Sequence, residues 1–465
     1  MKNLSVDLLV IGSGPAGQKA AIQASKLKKS VAVVENEGFL GGACLHSGTI
    51  PSKTLRASIL DLSEFYLRSF YSKEYNFGDI SISDLNFRVQ MVIETEEAII
   101  KRQFHKNHIQ ILYGHAEFES EYIIRVLGAD GEMKYRVKCK QIILASGSKP
   151  RNPNHIPFDD SKILDSTTLL KIDNIPKKMI VLGGGIVGSE YASFFAALGS
   201  EVVVIDKKEH MLPYLDREIG IHLQNGLSRI GLTFLGKKQI KTLEAVEEGV
   251  VVTCEDGTSV QADLLLYALG REANVSGLKI ENAGLSLNSR GYIEVNSVFQ
   301  SSKAHIFAVG DVIGGASLAS TSMEQGRLAA LKACGEKTHY FPEIYPLGIY
   351  TIPEISSCGL TEEQVREKGY RYEIGRAYYY EMAASHIYGS NDMGMFKIIF
   401  HVETLEILGV HIIGRNASEV IHIGQMAMMF KSRIDIFSDQ VFNYPTFAEG
   451  YRIAALNGLN KVAKH

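Results

Sequence analysis

The chain has 465 residues, 45% hydrophobic and 22% charged, with a formal net charge of -3. That length exceeds what one core can organise and predicts about three domains of roughly 150 residues each. With no excess of Lys and Arg to neutralise a phosphate backbone or an anionic lipid surface, neither a nucleic-acid nor a membrane partner is expected. The five cysteines, Cys44, Cys139, Cys254, Cys334 and Cys358, are scattered, with no Cys-x2-Cys spacing to hold zinc or an iron-sulfur cluster. No metal site is therefore predicted, and a reducing, cytoplasmic setting is expected.

Residues 6–11 read as a buried strand, too short an apolar run for a secretory core or a membrane span. Gly12-Ser13-Gly14-Pro15-Ala16-Gly17 follows, then an apolar helix through Leu27 and a second strand over 31–35 ending in Glu35. Glycines at these positions let the backbone turn tightly and approach a pyrophosphate at the helix N-terminus, while the acid accepts from a ribose diol. Next comes Gly41-Gly42-Ala43-Cys44-Leu45-His46-Ser47-Gly48-Thr49-Ile50-Pro51-Ser52-Lys53, with a single thiol. A short apolar strand over 142–147 ends in Gly147, and the Pro-rich, polar stretch 146–165 reads as a linker.

The glycine pattern then returns. A strand over 179–182 leads into Gly183-Gly184-Gly185-Ile186-Val187-Gly188, a helix near 192–198 and a strand over 201–206 ending in Asp206. Asp206 stands at the same interval from Gly183 as Glu35 does from Gly12. One such fingerprint is weak evidence; two with matched acids and flanking strands predict two bound dinucleotides and electron transfer between them. A strand over 264–270 closes the second unit at Gly270, and another over 306–311 ends in Asp311. Leu318 to Arg327 reads as a helix start capped by Ser or Thr. Beyond 341 the pattern changes to strands over 394–400 and 408–413 and a helix over 417–430, where His422 reads as a core or dimer-contact residue. The predicted class is α/β, with two Rossmann-like dinucleotide-binding domains and a C-terminal α+β domain.

Together these residues resemble the flavoprotein disulfide reductases with two dinucleotide domains, over essentially the whole chain. That family carries Gly-Gly-x-Cys-x4-Cys-x-Pro-Ser-Lys; Thr49 stands here in place of the second cysteine. A hydroxyl cannot close a disulfide, so thiol exchange at Cys44 has no resolving partner. The stretches Gly348-Ile349-Tyr350-Thr351-Ile352-Pro353-Glu354 and Asn443-Tyr444-Pro445-Thr446-Phe447-Ala448-Glu449-Gly450-Tyr451-Arg452 also match. In the latter, Tyr444 replaces the family's acid-base histidine, and Glu449, which would orient that imidazole, has lost its partner. A phenol, with a pKa ordinarily near 10, is a poor proton shuttle at neutral pH. These departures resemble the family's transhydrogenating branch, which passes hydride between nicotinamide nucleotides.

The resemblance implies FAD in the first unit, with Gly12, Gly14, Gly17 and Glu35 on its AMP half and Asp311 on the ribityl-pyrophosphate part. Gly41, Gly42, Cys44, Ala116, Gly147 and Ala319 complete that set. Lys53 matches the lysine beside flavin N5 and Glu190 its ion-pair partner, and the helix starting near Ala319 would turn its positive end toward the flavin. Gly183, Gly185, Gly188, Asp206 and Gly270 form the NAD(P) site. Asp206 suits the free ribose of NAD and repels the extra phosphate of NADP, a contact worth roughly 4 kcal/mol at about 4 Å and a dielectric near 20. Lys207 and Lys208 either offset that charge or face solvent. Cys44 reads as a leftover packed beside the flavin, the alternative being a single-thiol redox centre.

The implied organisation is an FAD domain over 1–155, an NAD(P) domain over 156–274, a return of the FAD domain over 275–340 and an interface domain over 341–465, assembled as a homodimer or higher oligomer. The expected activity is NADPH + NAD+ to NADP+ + NADH, with NAD and NADP as substrates, by a ping-pong flavin route. The alternatives are a dihydrolipoamide-dehydrogenase-like disulfide reductase and a degenerate flavoprotein kept as a redox-sensing module.

Overall fold

Residues Lys2–Ile11 form a strand whose second half is fully enclosed, Leu8 to Val10 being at most 1% exposed. It lies between Val31–Glu35 and Met133–Leu144, parallel to both. The computed structural model describes residues 1–36, 38–67, 82–339, 341–389 and 394–462. It divides into two compact units, one of residues 1–55, 83–151 and 270–341, the other of 56–82, 152–269 and 342–465.

The first unit is built on a seven-stranded sheet. Gln110–Tyr113, Val31–Glu35, Lys2–Ile11 and Met133–Leu144 run parallel, and Ile306–Ala308 adds to the C-terminal half of Met133–Leu144. The N-terminal half of that strand instead pairs antiparallel with Ile123–Leu127, which continues to His115–Ser120. Near-continuous apolar runs mark strands covered on both faces. The helix Pro15–Lys26 meets Ala319–Ala333 at Gly326, where an added Cβ would lie 2.1 Å from the Ala16 carbonyl oxygen.

Among the described residues the second unit holds three sheets. Five parallel strands run in the order Leu232–Leu235, Glu201–Ile205, Lys178–Leu182, Leu264–Tyr267, Ile163–Leu164. A small antiparallel sheet follows, of Ile240–Val246, Gly249–Cys254 and Ser259–Ala262. The third is a five-stranded antiparallel sheet of Leu347–Ile349, Ile355–Gly359, Ile407–Ile413, Met395–His401 and Tyr372–Tyr378. The helix Glu449–Val462 presses on this sheet through glycines, since a Cβ at Gly375 would meet the Ala454 carbonyl oxygen at 2.1 Å. The two-Rossmann, α/β reading is borne out.

Several local expectations change. The 146–165 stretch is not all linker, since Ser148–Pro150 pairs with Arg271–Ala273 and Ile163–Leu164 joins the parallel sheet. The helix after the second glycine turn begins at Ile186, and Asp206 stands just past the strand Glu201–Ile205. The helix Ala319–Ala333 has Leu318 at its N-cap and no side-chain cap, because the Thr321 hydroxyl donates back to the Leu318 carbonyl at 2.9 Å. His422 is exposed and not part of the core; its Nδ1 contacts Gln425 Oε1 at 2.9 Å.

Candidate dinucleotide-binding sites

In the first unit Gly12 has φ +102°, and a Cβ there would sit 2.4 Å from the Ala145 carbonyl oxygen. Gly17 is needed for close packing, since its Cβ would meet the Gly12 carbonyl oxygen at 1.9 Å. Gly14 faces open space and ends the turn at the N-cap of Pro15–Lys26 with no side-chain cap. Uncapped N–H groups beneath an unobstructed glycine make a cradle for a pyrophosphate.

The acid is tied into the same cradle. Buried Glu35 accepts from Ser13 N at 2.9 Å and from the Ser13 hydroxyl at 2.5 Å, and that hydroxyl in turn accepts from Gly41 N at 2.9 Å. Gly41 and Gly42 both have positive φ, and a Cβ at Gly42 would come within 3.1 Å of Gly14 Cα. The Glu35 carbonyl accepts from Gly114 N, which brings the strand carrying buried Ala116 to the same edge. Asp311 lies in the turn Gly310–Ile313, and its Oδ2 accepts from the Ser148 hydroxyl at 2.6 Å, one residue after left-handed Gly147. Ala319 opens its helix without a cap, a second free N-terminus in this unit. Ser13 and Ser148 were not singled out from the sequence; only their places beside fingerprint glycines could have pointed to them.

Cys44 lies in the short helix Gly42–His46, and Thr49 opens the helix Thr49–Leu67 that carries Lys53. Burial pushes the Cys44 thiol above its ordinary pKa, further than the Thr49 hydrogen bond and the Lys53 charge draw it down. A protonated thiol beside a hydroxyl is neither nucleophile nor half of a dithiol. All five cysteines are free. Lys53 Nζ reaches the Ser52 hydroxyl at 3.3 Å.

The second unit repeats the geometry. Gly183 has φ +108°, and a Cβ at Gly188 would meet the Gly183 carbonyl oxygen at 1.9 Å. Gly185 faces open space at the uncapped start of Ile186–Ala197. Gly183 N donates to the Ile205 carbonyl as Gly12 N does to that of Val34. Asp206 accepts from Gly184 N at 2.6 Å and from Lys208 N at 2.8 Å, while the Lys207 and Lys208 side chains are exposed. Gly270 does not fall here: it belongs to the first unit, where its carbonyl accepts from Arg151 N at 3.1 Å. Glu190, buried on Ile186–Ala197, accepts from Tyr350 N at 2.8 Å.

Tyr444 is 71% exposed, preceding a cis proline, and one carboxylate oxygen of Glu449 is buried with no hydrogen-bond partner among the described residues. Among the described residues no helix is long and apolar enough to cross a membrane. Nor does any group of three or more His, Cys, Asp or Glu there form a potential metal site.

Two glycine cradles, each paired with a strand-end acid, define an oxidoreductase of the two-dinucleotide class. Residues 6–326 match the pyridine nucleotide-disulphide oxidoreductase family and residues 345–455 its dimerisation domain; the chain belongs to this family. It is 42% identical over 457 residues to the soluble pyridine nucleotide transhydrogenase of Mycobacterium bovis (strain BCG / Pasteur 1173P2), covering 98% of this chain and 97% of that protein. The protein of the same name from Photorhabdus laumondii is 41% identical over 467 residues, covering 99% of this chain and 100% of that one. Among solved structures, LpdA from Mycobacterium tuberculosis superposes with a TM-score of 0.89 at 26% identity, covering 97% of this chain and 99% of that one. The HOCl-induced flavoprotein disulfide reductase RclA from Escherichia coli superposes with a TM-score of 0.86 at 26% identity, with the same coverage.

Proposed function

We propose that this chain is an FAD-dependent transhydrogenase that moves hydride from NADPH to NAD+ and back, as a homodimer in the cytoplasm. The observation that carries the reading is the pairing of two intact dinucleotide cradles with a lone, free Cys44 thiol whose neighbour is Thr49. In support stand the full-length relatives bearing the transhydrogenase name and the match to a dimerisation domain.

FAD fits the first cradle, and when bound it supplies a two-electron acceptor that takes hydride from one nicotinamide and returns it to another. Gly12, Gly14 and Gly17 admit its pyrophosphate to the free N–H groups of Pro15–Lys26, and Glu35, braced by Ser13, accepts from its ribose. Gly41, Gly42, Ala116 and Gly147 shape the walls, with Asp311 on the ribityl side. Cys44 packs there without a redox role. Lys53 supplies positive charge, Glu190 is its counter-charge in the family pattern, and the uncapped start of the helix at Ala319 adds the positive end of a dipole.

Gly183, Gly185 and Gly188 hold the nicotinamide nucleotide's pyrophosphate, with Asp206 on its ribose and Lys207 and Lys208 balancing the added phosphate of NADP. Gly270, which lies in the first unit, is left out of that set. No side chain has to shuttle a proton, so Tyr444 in place of a histidine costs nothing. We assign 1–155 and 275–340 to the FAD domain, 156–274 to the NAD(P) domain and 341–465 to the interface.

The test is reduction of a thio-analogue of NAD+ by NADPH with purified, FAD-loaded protein. Parallel initial-velocity lines are expected, and a rate no better than free FAD defeats the reading. Activity toward dihydrolipoamide that disappears in Cys44→Ser would instead establish the disulfide-reducing alternative.

A further inference from the structure

Lys397 is the most deeply enclosed cation among the described residues of the second unit, its side chain 0% exposed. It sits on the central strand Met395–His401, and its ammonium makes three contacts: Asp216 Oδ1 at 2.8 Å, Glu362 Oε2 at 2.7 Å and Glu218 Oε2 at 3.1 Å. Three donors thus meet three carboxylates. Arg376 adds a bidentate pair to Glu218 at 2.7 and 2.9 Å, and the Tyr372 hydroxyl donates to Glu362 at 2.9 Å. Burial alone would depress the Lys397 pKa, but Asp216 and Glu362 outweigh it and hold the ammonium charged.

Asp216 is also the N-cap of Arg217–Arg229, accepting from Glu218 N at 3.1 Å, and its other oxygen accepts from Glu362 N at 3.1 Å. It therefore ends one segment whose other end is Asp206. Between them Leu212 adopts φ +47°, a conformation that a bulky side chain keeps only where its surroundings over-determine it. Its N–H donates to the carbonyl of Gly184 at 2.9 Å, while Gly184 N donates to Asp206 at 2.6 Å. The peptide groups flanking the middle glycine of the second turn are thus gripped from both sides by residues of one segment. Its near end is held by Lys237 N on the Lys208 carbonyl and Lys238 N on that of Asp206. The far end is held at Asp216.

We infer that Lys397 is a positioning residue for the nicotinamide nucleotide: by fixing Asp216 it holds Leu212 against Gly184 and so keeps the second glycine turn in its binding shape. The inference rests on the assignment of that turn to NAD(P). Nothing in the 207–215 segment need touch the reacting atoms for this coupling to set affinity.

The test compares wild type, Lys397→Met, Lys397→Arg and the milder Glu362→Gln, with Ile421→Ala in the C-terminal core as a stability control. In Lys397→Met the KM for NADH and NADPH should both rise at least about fivefold with kcat within about twofold. Glu362→Gln should fall between, Lys397→Arg should partly restore the KM, and Ile421→Ala should leave it unchanged. Hydrogen exchange, read without turnover, should speed up in peptides covering 183–188 and 207–216. Should Lys397→Met not fold, Glu362→Gln carries the same two readouts. Unchanged exchange in those peptides in the folded variant, or an equal KM rise in Ile421→Ala, overturns the inference even in an active enzyme. Faster exchange in a protein whose wild type shows no transhydrogenation would sink the functional reading and leave the coupling standing.

Discussion

The Ser13 hydroxyl donates to Glu35 Oε2 at 2.5 Å and accepts from Gly41 N at 2.9 Å, so one small side chain ties a strand-end acid to a distant glycine turn. Ser13→Ala removes both bonds in a buried place, a loss of about 1–3 kcal/mol. The dissociation constant of FAD should rise roughly 5- to 150-fold, read by titrating flavin fluorescence against apoprotein. An unchanged constant would mean that Glu35 needs no brace.

The two glycine cradles should fail separately. A Cβ at Gly188 or Gly17 would stand 1.9 Å from a carbonyl oxygen, a clash that only backbone movement relieves. Gly188→Ala should keep its flavin absorbance yet raise nucleotide KM by about tenfold or more, whereas Gly17→Ala should purify largely without flavin. Loss of flavin from Gly188→Ala would contradict the division of labour.

Because burial holds the Cys44 thiol above its usual pKa, its thiolate is scarce near neutrality. Alkylation by iodoacetamide, followed by mass spectrometry across pH, should have its midpoint at a higher pH than in the unfolded chain and be slow at pH 7. Cys44→Ser should lower transhydrogenation no more than about threefold, far short of the loss expected for an essential nucleophile. A midpoint below the unfolded value would revive thiol chemistry here.

Lys207 and Lys208 make no ion pair among the described residues, whereas nearby Lys237 is matched to Glu209 and Lys238 to Asp256. Replacing both Lys207 and Lys208 with Gln should raise the KM for NADPH about tenfold and leave that for NADH within about twofold. The NADPH effect should shrink in high salt, as exposed charges do. Equal changes for both nucleotides would mean that the lysines do not read the extra phosphate.

What could be read in advance was local. Gly12 and Gly183 announce themselves because only glycine tolerates their φ beside a neighbouring carbonyl, and Glu35 and Asp206 because a strand end fixes where each acid points. The helix that starts at Ala319 lacks the expected Ser or Thr cap because Thr321 spends its hydroxyl on the Leu318 carbonyl, a choice propensity does not reveal. His422 lies in an apolar helix, but its burial depends on which face the sheet takes. The roles of Leu212 and Lys397 are not legible in the sequence, since the glycine that Leu212 N bonds and the carboxylates that Lys397 meets lie 28 positions or more away along the chain.

The backbone approach of Gly326 to Ala16 makes the order of synthesis matter. The helix Pro15–Lys26 cannot be covered, nor the strand Met133–Leu144 paired by Ile306–Ala308, until the ribosome has passed residue 326. At about 5–20 residues per second, the leading segment waits many seconds with apolar surface bare. Flavin capture must come after that wait, and chaperone dependence should fall on the N-terminal strands.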